Sequence, residues 1–135
     1  MELSLAVLPR ARILNLLIGL TAAVLCEIGR HVYRPFIYSR GIWDFHFADT
    51  LGNSFGMMAT AFVLVGIFGR GGPHNGFVLR CTIIGVALFE LASPLLGKVV
   101  DPWDLVATLI FGWLTLRLYD LVHGPPQGAR TLLQE

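Results

Sequence analysis

The sequence predicts an all-α fold, a four-helix transmembrane bundle, and two observations carry that reading. Of the 135 residues, 55% are hydrophobic and only 14% charged, whereas a typical soluble domain carries about 25% charge. Mean hydropathy is +0.68, and a compact soluble chain of this size has little room to hide so much apolar surface. Second, the apolar residues fall into long runs divided by helix breakers. One run, Thr50 to Gly69, has no charge and would span roughly 30 Å at about 1.5 Å per residue.

The elements follow in order. A first helix is expected over about 10–28, around the uncharged stretch from Ile13 to Cys26. Arg10 and Arg12 before an apolar run also fit the start of a signal peptide. Ala23-Val24-Leu25-Cys26, however, lacks the small residue that precedes a lipidated cysteine, so an anchored span is expected. A second helix is expected over about 47–69. A third covers about 77–91, ending before Pro94, and carries Arg80 and Glu90. A fourth covers about 102–122. Asp101-Pro102 supplies an N-cap acid and a first-turn proline, and Gly124-Pro125-Pro126 stops the helix. The tail, 123–135, is short and polar. All 135 residues are expected to form one integral membrane domain, with three spans plus an interfacial helix as the alternative. The ionisable groups of the spans lie within a turn or two of helix ends, where long side chains reach the interface. Cys26 and Cys81 fall at opposite ends of their helices and are expected to be free.

Charge excludes some classes and orients the rest. A net charge of +1 with no basic run argues against nucleic acid as a partner. The apolar content argues against a disordered chain. One side of the expected bundle holds both termini and the 70–80 loop, with six arginines against three acids. The other holds the 28–46 and 92–102 loops, with four cations against six acids. The bias in Lys and Arg puts both termini in the cytoplasm.

Lining up the two halves suggests a tandem repeat of helical hairpins. The first runs Glu27, a loop with Arg30, Arg34 and Arg40, then Asp49, Asn53 and Gly56. The second runs Glu90, a loop with Lys98, then Asp104, Thr108 and Gly112. Asp49, Asn53, Gly56 and Thr60 share one helix face, as do Asp104, Thr108 and Gly112. Asn15, Gly19, Ala23 and Glu27 are expected to form a similar stripe. Small and polar residues on one face of a membrane helix belong inside the bundle, so Gly52, Gly56 and Gly112 are expected to pack helices, Gly52 and Gly56 as a GxxxG pair. The acids should meet Arg30, Arg34, Arg40 or Lys98 at the outer mouth, or face water. That set, Glu27, Arg30, Arg34, Arg40, Asp49, Asn53, Glu90, Lys98 and Asp104, is the candidate ligand site. Ion pairing that merely closes the mouth is the competing reading.

These residues resemble the VanZ-like membrane proteins, the glycopeptide-resistance type. The pattern there is an acid at a helix end, a basic loop, then Asp-x-x-x-Asn-x-x-Gly opening the next helix. Glu27, Arg40, Asp49, Asn53 and Gly56 fit it. Glu90, Lys98, Asp104 and Gly112 fit it more loosely, with Thr108 at the Asn position. The resemblance implies an envelope-facing role in the inner or plasma membrane of a bacterium, and no particular reaction.

No cofactor or metal site is expected. His31, His46, His74 and His123 avoid the middle of every expected helix, and no His-x-x-x-His or Cys-x-x-Cys spacing exists. No phosphate loop or dinucleotide fingerprint exists either. Tyr33, Phe36, Tyr38, Trp43, Phe45 and Phe47 surround the arginines of the 28–47 loop, a composition suited to the lipid headgroup layer. The sequence therefore leads to a non-catalytic membrane protein whose outer charged cluster binds a lipid headgroup or envelope precursor. The alternative is a small accessory subunit of a larger membrane complex or a homo-oligomer, with the bilayer as partner in either case.

Overall fold

The computed structural model describes residues 10–124, and among them the regular structure is all helix, with no strand. The four helices are α1 (Arg10–Arg40), α2 (Gly52–Phe68), α3 (Gly72–Leu91) and α4 (Pro102–His123). The part of the expected tail from 125 to 135 lies outside the described residues.

The first helix does not stop at residue 28. It runs on for 31 residues, about 46 Å at the usual rise, so most of the expected 28–46 loop is helix. The continuation passes through a π turn, Gly29–Tyr33, in which Arg34 N–H donates to the Gly29 carbonyl. Pro35 follows directly. A proline inside a helix lacks an N–H and crowds the carbonyl four residues back, and the wider π turn just before it accommodates that crowding. Gly41, in the left-handed conformation at φ 60°, ends the helix.

Residues 41–51 form a chain of turns pinned by Asp44, whose carboxylate accepts from the Ala48 N–H at 2.8 Å, and by the buried Ala48 and Leu51. Phe45 and His46 both take positive φ. Helix α2 therefore starts at Gly52 rather than 47, again with a π turn, Gly52–Gly56. It is the shortest of the four, about 25 Å long. The segment with the longest uncharged run thus makes the central helix, packed against the other three. Ala61, Phe62 and Val65 are fully buried, as expected of a helix that is apolar all round.

Helix α3 starts at Gly72, earlier than the expected 77, because Pro73 occupies the first turn, where its missing N–H costs nothing. The Asn75 side chain accepts from Gly71 N–H just ahead of it. A short 3-10 turn, Ser93–Leu96, ends at Gly97. Helix α4 begins as Asp101-Pro102 predicts, with the Asp101 carboxylate accepting from Trp103 N–H at 2.9 Å.

The polarity of the packing is that of a membrane protein. Asn15, Ser54, Thr108 and Thr115 are buried, while Leu20, Ile84, Leu88, Leu109 and Ile110 are exposed. The buried hydroxyls of Thr108 and Thr115 donate to carbonyls one turn back in their own helix, which satisfies them without water. Helices α1, α3 and α4 are long and apolar enough to cross a membrane.

The buried face of α1 is Asn15, Gly19, Ala22, Cys26 and, in the π turn, Gly29. Glu27 is exposed and lies off the expected stripe. At 3.6 residues per turn, positions i+8 and i+12 drift about 80° and 120° from the start, whereas i+7 and i+11 stay within about 20°. Two glycines bring the backbones of α1 and α2 close together. A Cβ on Gly19 would meet Val63 N at 3.0 Å and Ala59 O at 3.1 Å, and one on Gly66 would meet Leu16 N at 3.3 Å. Gly112 faces Ile83 in the α3–α4 contact, and Gly56 faces the Cys26 thiol at ordinary distance.

Gly19→Val is expected to lower stability by about 1–3 kcal/mol through this overpacking. Gly85→Ala, into open space, is expected to be neutral or to gain up to about 1 kcal/mol. Thermal unfolding of the detergent-solubilised protein checks both.

Candidate functional site

The nine candidate ligand residues separate into pairs, a patch and a groove. Glu27 sits on exposed α1 surface, 3.5 Å from Arg30 and 3.3 Å from His31. Exposed pairs of this kind contribute little. Arg34 reaches Asp49 at 3.1 Å and ties the extension of α1 to the turns that follow it. Asp49 also accepts from the Tyr38 hydroxyl and lies 3.4 Å from His46 Nδ1. Arg40 makes no ion pair among the described residues, and its guanidinium covers the Phe36 ring at 4.7 Å. Lys98 follows the 3-10 turn and is likewise without an ion pair among the described residues. Asp104, in the first turn of α4, lies within electrostatic reach of Glu90, Asp101 and Asp49.

Three of the nine, Arg30, Asn53 and Glu90, line a groove of about 460 Å³ at this end of the bundle. The other walls include Gly52, Thr60, Thr82 and Gly85. Gly52 lets Arg30 lie across it, since a Cβ there would stand 3.2 Å from Arg30 Nη2. Asn53 Nδ2 is buried and has no hydrogen-bond partner among the described residues. An orphaned buried donor costs about 1–3 kcal/mol, so its presence on a groove wall is informative. Chemically the groove walls carry a cation, an amide and a carboxylate. A phosphate or carbonyl oxygen suits the first two, and a hydroxyl or ammonium suits the third.

Sequence reasoning passed over two sets of partners. At the charged end, His46 stacks on Trp103 with centroids 5.3 Å apart and meets Trp43 edge-on, a grouping that loop composition hinted at only as aromatic enrichment. At the opposite end, Arg12 donates to the Gly69 carbonyl at 2.8 Å. There His123 Nε2 lies 2.7 Å from the Oδ1 of buried Asn15, and Asn75 Nδ2 donates to the Tyr119 hydroxyl at 2.7 Å. Asn15 was visible as one polar residue on an apolar face, but nothing local names a partner 108 residues away. Among the described residues no three His, Cys, Asp or Glu side chains form a metal-binding group. Cys26 is buried, with its thiol 3.4 Å from the Leu51 carbonyl, and Cys81 is exposed; both are free.

Comparison of the chain with protein-family models, with curated proteins and with solved structures finds no match.

The Tyr38 hydroxyl, and after it His46 and Arg34, hold the Asp49 carboxyl below its usual range. A depressed carboxyl contributes stability above the unfolded-state value of about 3.9, and the contribution fades as pH falls through the lower folded value. Wild-type stability is therefore expected to drop on the acid side of about pH 4. Asp49→Asn is expected to be less stable at neutral pH and to show a shallower acid limb. Melting temperature against pH checks the pair.

Proposed function

We propose that this is a non-catalytic membrane protein whose groove at the charged end binds a lipid headgroup or a lipid-linked envelope precursor, in the manner the VanZ-like resemblance implies. The observation that carries the reading is the buried, unpartnered Asn53 Nδ2 on the wall of a groove shared with Arg30 and Glu90. Rotation of the Asn53 side chain would bring this donor to a ligand oxygen in the groove. Asn53 also stands at the Asn position of the resembling motif, so the motif and the orphaned donor agree on one residue.

A second reading, an accessory subunit of a larger complex or a homo-oligomer, is favoured by α3. Only 11% of its most apolar window is buried, and Gly76 and Gly85 have open space beside them.

Native mass spectrometry of gently extracted protein distinguishes the two. A retained lipid or precursor on the wild type that is absent from Asn53→Leu supports the groove reading. Replacing an unpaired amide by a same-sized apolar group removes a desolvation cost, so Asn53→Leu is expected to be as stable as wild type or more so while losing the ligand. Fixed-stoichiometry co-migration with larger membrane proteins, without bound lipid, supports the subunit reading. A destabilised Asn53→Leu that still retains lipid overturns the role given to Asn53.

A further inference from the structure

A second cavity lies at the opposite end of the bundle, between the amino-terminal half of α3 and the carboxy-terminal half of α4. Its volume is about 810 Å³, within the range of about 300–1,000 Å³ typical of small-molecule sites. Gly76, Leu79 and Arg80 line it from α3, and Trp113, Arg117 and Asp120 from α4. It shares no residue with the groove of the charged end.

Two features make this cavity unlike a packing defect. Both arginines belong to helices apolar and long enough to cross a membrane, and neither makes an ion pair among the described residues. A charge within a membrane segment is expensive unless it is paired or reaches water. Cβ geometry tilts helical side chains toward the amino terminus of their own helix, which for Arg80 is the near end of α3 and for Arg117 the middle of α4. The Arg117 guanidinium accordingly lies over the Trp113 ring at 5.5 Å. Two exposed guanidiniums thus line one cavity, with no ion pair to either among the described residues.

The remaining polar groups are committed elsewhere. Tyr119 accepts from Asn75, and His123 is bonded to Asn15; both line the cavity. Asp120 is the one carboxylate on the wall among the described residues. Alongside the cavity, Ile84, Ile110 and Trp113 expose apolar surface suited to acyl chains.

We propose that this cavity binds the phosphodiester headgroup of an anionic phospholipid. Arg80 and Arg117 hold the phosphate oxygens, Asp120 accepts from a headgroup hydroxyl, and the acyl chains run along the exposed faces of α3 and α4. Guanidinium matches phosphate with paired N–H donors, and a basic pocket between membrane helices is the expected form of a headgroup site.

The test is lipid binding by native mass spectrometry of the full chain in detergent, with phosphatidylglycerol, phosphatidylcholine or free glycerol phosphate added. It is run in the wild type and in Asn53→Leu, so that the two ends report separately. Wild type and Asn53→Leu are expected to retain phosphatidylglycerol in preference to phosphatidylcholine. The double variant R80Q/R117Q is expected to lose about tenfold in retention, the scale of one or two charge-assisted bonds. Gly76→Leu, whose side chain enters open space in the cavity wall, is expected to block binding with both charges intact. It decides the matter if the double variant fails to elute as a folded species. Equal retention by wild type and Gly76→Leu overturns the proposal, as does no preference between the two lipids. Displacement by glycerol phosphate at matched concentration overturns the lipid as the source of the phosphate.

Discussion

Close contact between the backbones of α1 and α2 is the constraint on which the rest of the bundle depends. It exists because Gly19 and Gly66 present no side chain where Val63, Ala59 and Leu16 come against them. In a medium as apolar as the side chains, hydrophobic burial does little to hold helices together, and short-range packing between small residues takes over. With α1 seated this closely, α2 is enclosed on one side, and α3 and α4 cover the rest. The cluster of Ala61, Val65 and Leu79, flanked by Leu116 and Tyr119, joins the second hairpin to the first.

The two ends of the bundle are closed in different ways. One end is joined by hydrogen bonds between distant residues, Asn15 with His123 and Asn75 with Tyr119. Such bonds tolerate a dry surrounding because both partners are satisfied. The other end is held by ion pairs and aromatic contacts around Asp49, His46 and Trp103, which tolerate water. Among the described residues, Asn53 Nδ2 at one end and Arg80 and Arg117 at the other are polar groups on cavity walls without a hydrogen-bond or ion-pair partner.

Much of the architecture was legible in the sequence because a membrane fold writes itself in composition. The four helices, the start of α4 at Asp101-Pro102 and the free cysteines all follow from local patterns. The extension of α1 did not, because three arginines and Pro35 in a short stretch read as a loop, and a π turn has no compositional mark. The length of α2 was misjudged for a related reason. An uncharged run from Thr50 to Gly69 looks like a complete span, but Phe47 to Leu51 are spent on turns held by Asp44 and His46. Of the candidate site, Asn53, Arg30 and Glu90 were in view as members of a larger charged set. That Glu27 and Asp49 would be taken up by His31, Tyr38 and His46 was not, since those pairings depend on the helical course of residues 29–40.

The shortness of α2 sets how deep its ends lie. It is about 25 Å long, against about 30 Å for α3 and 33 Å for α4 and about 30 Å for the hydrocarbon core of a typical bilayer. A central element shorter than the layer around it leaves depth to be filled by something other than helix. The turns of residues 41–51, with Ala48, Thr50 and Leu51 buried ahead of Gly52, fill it at the charged end.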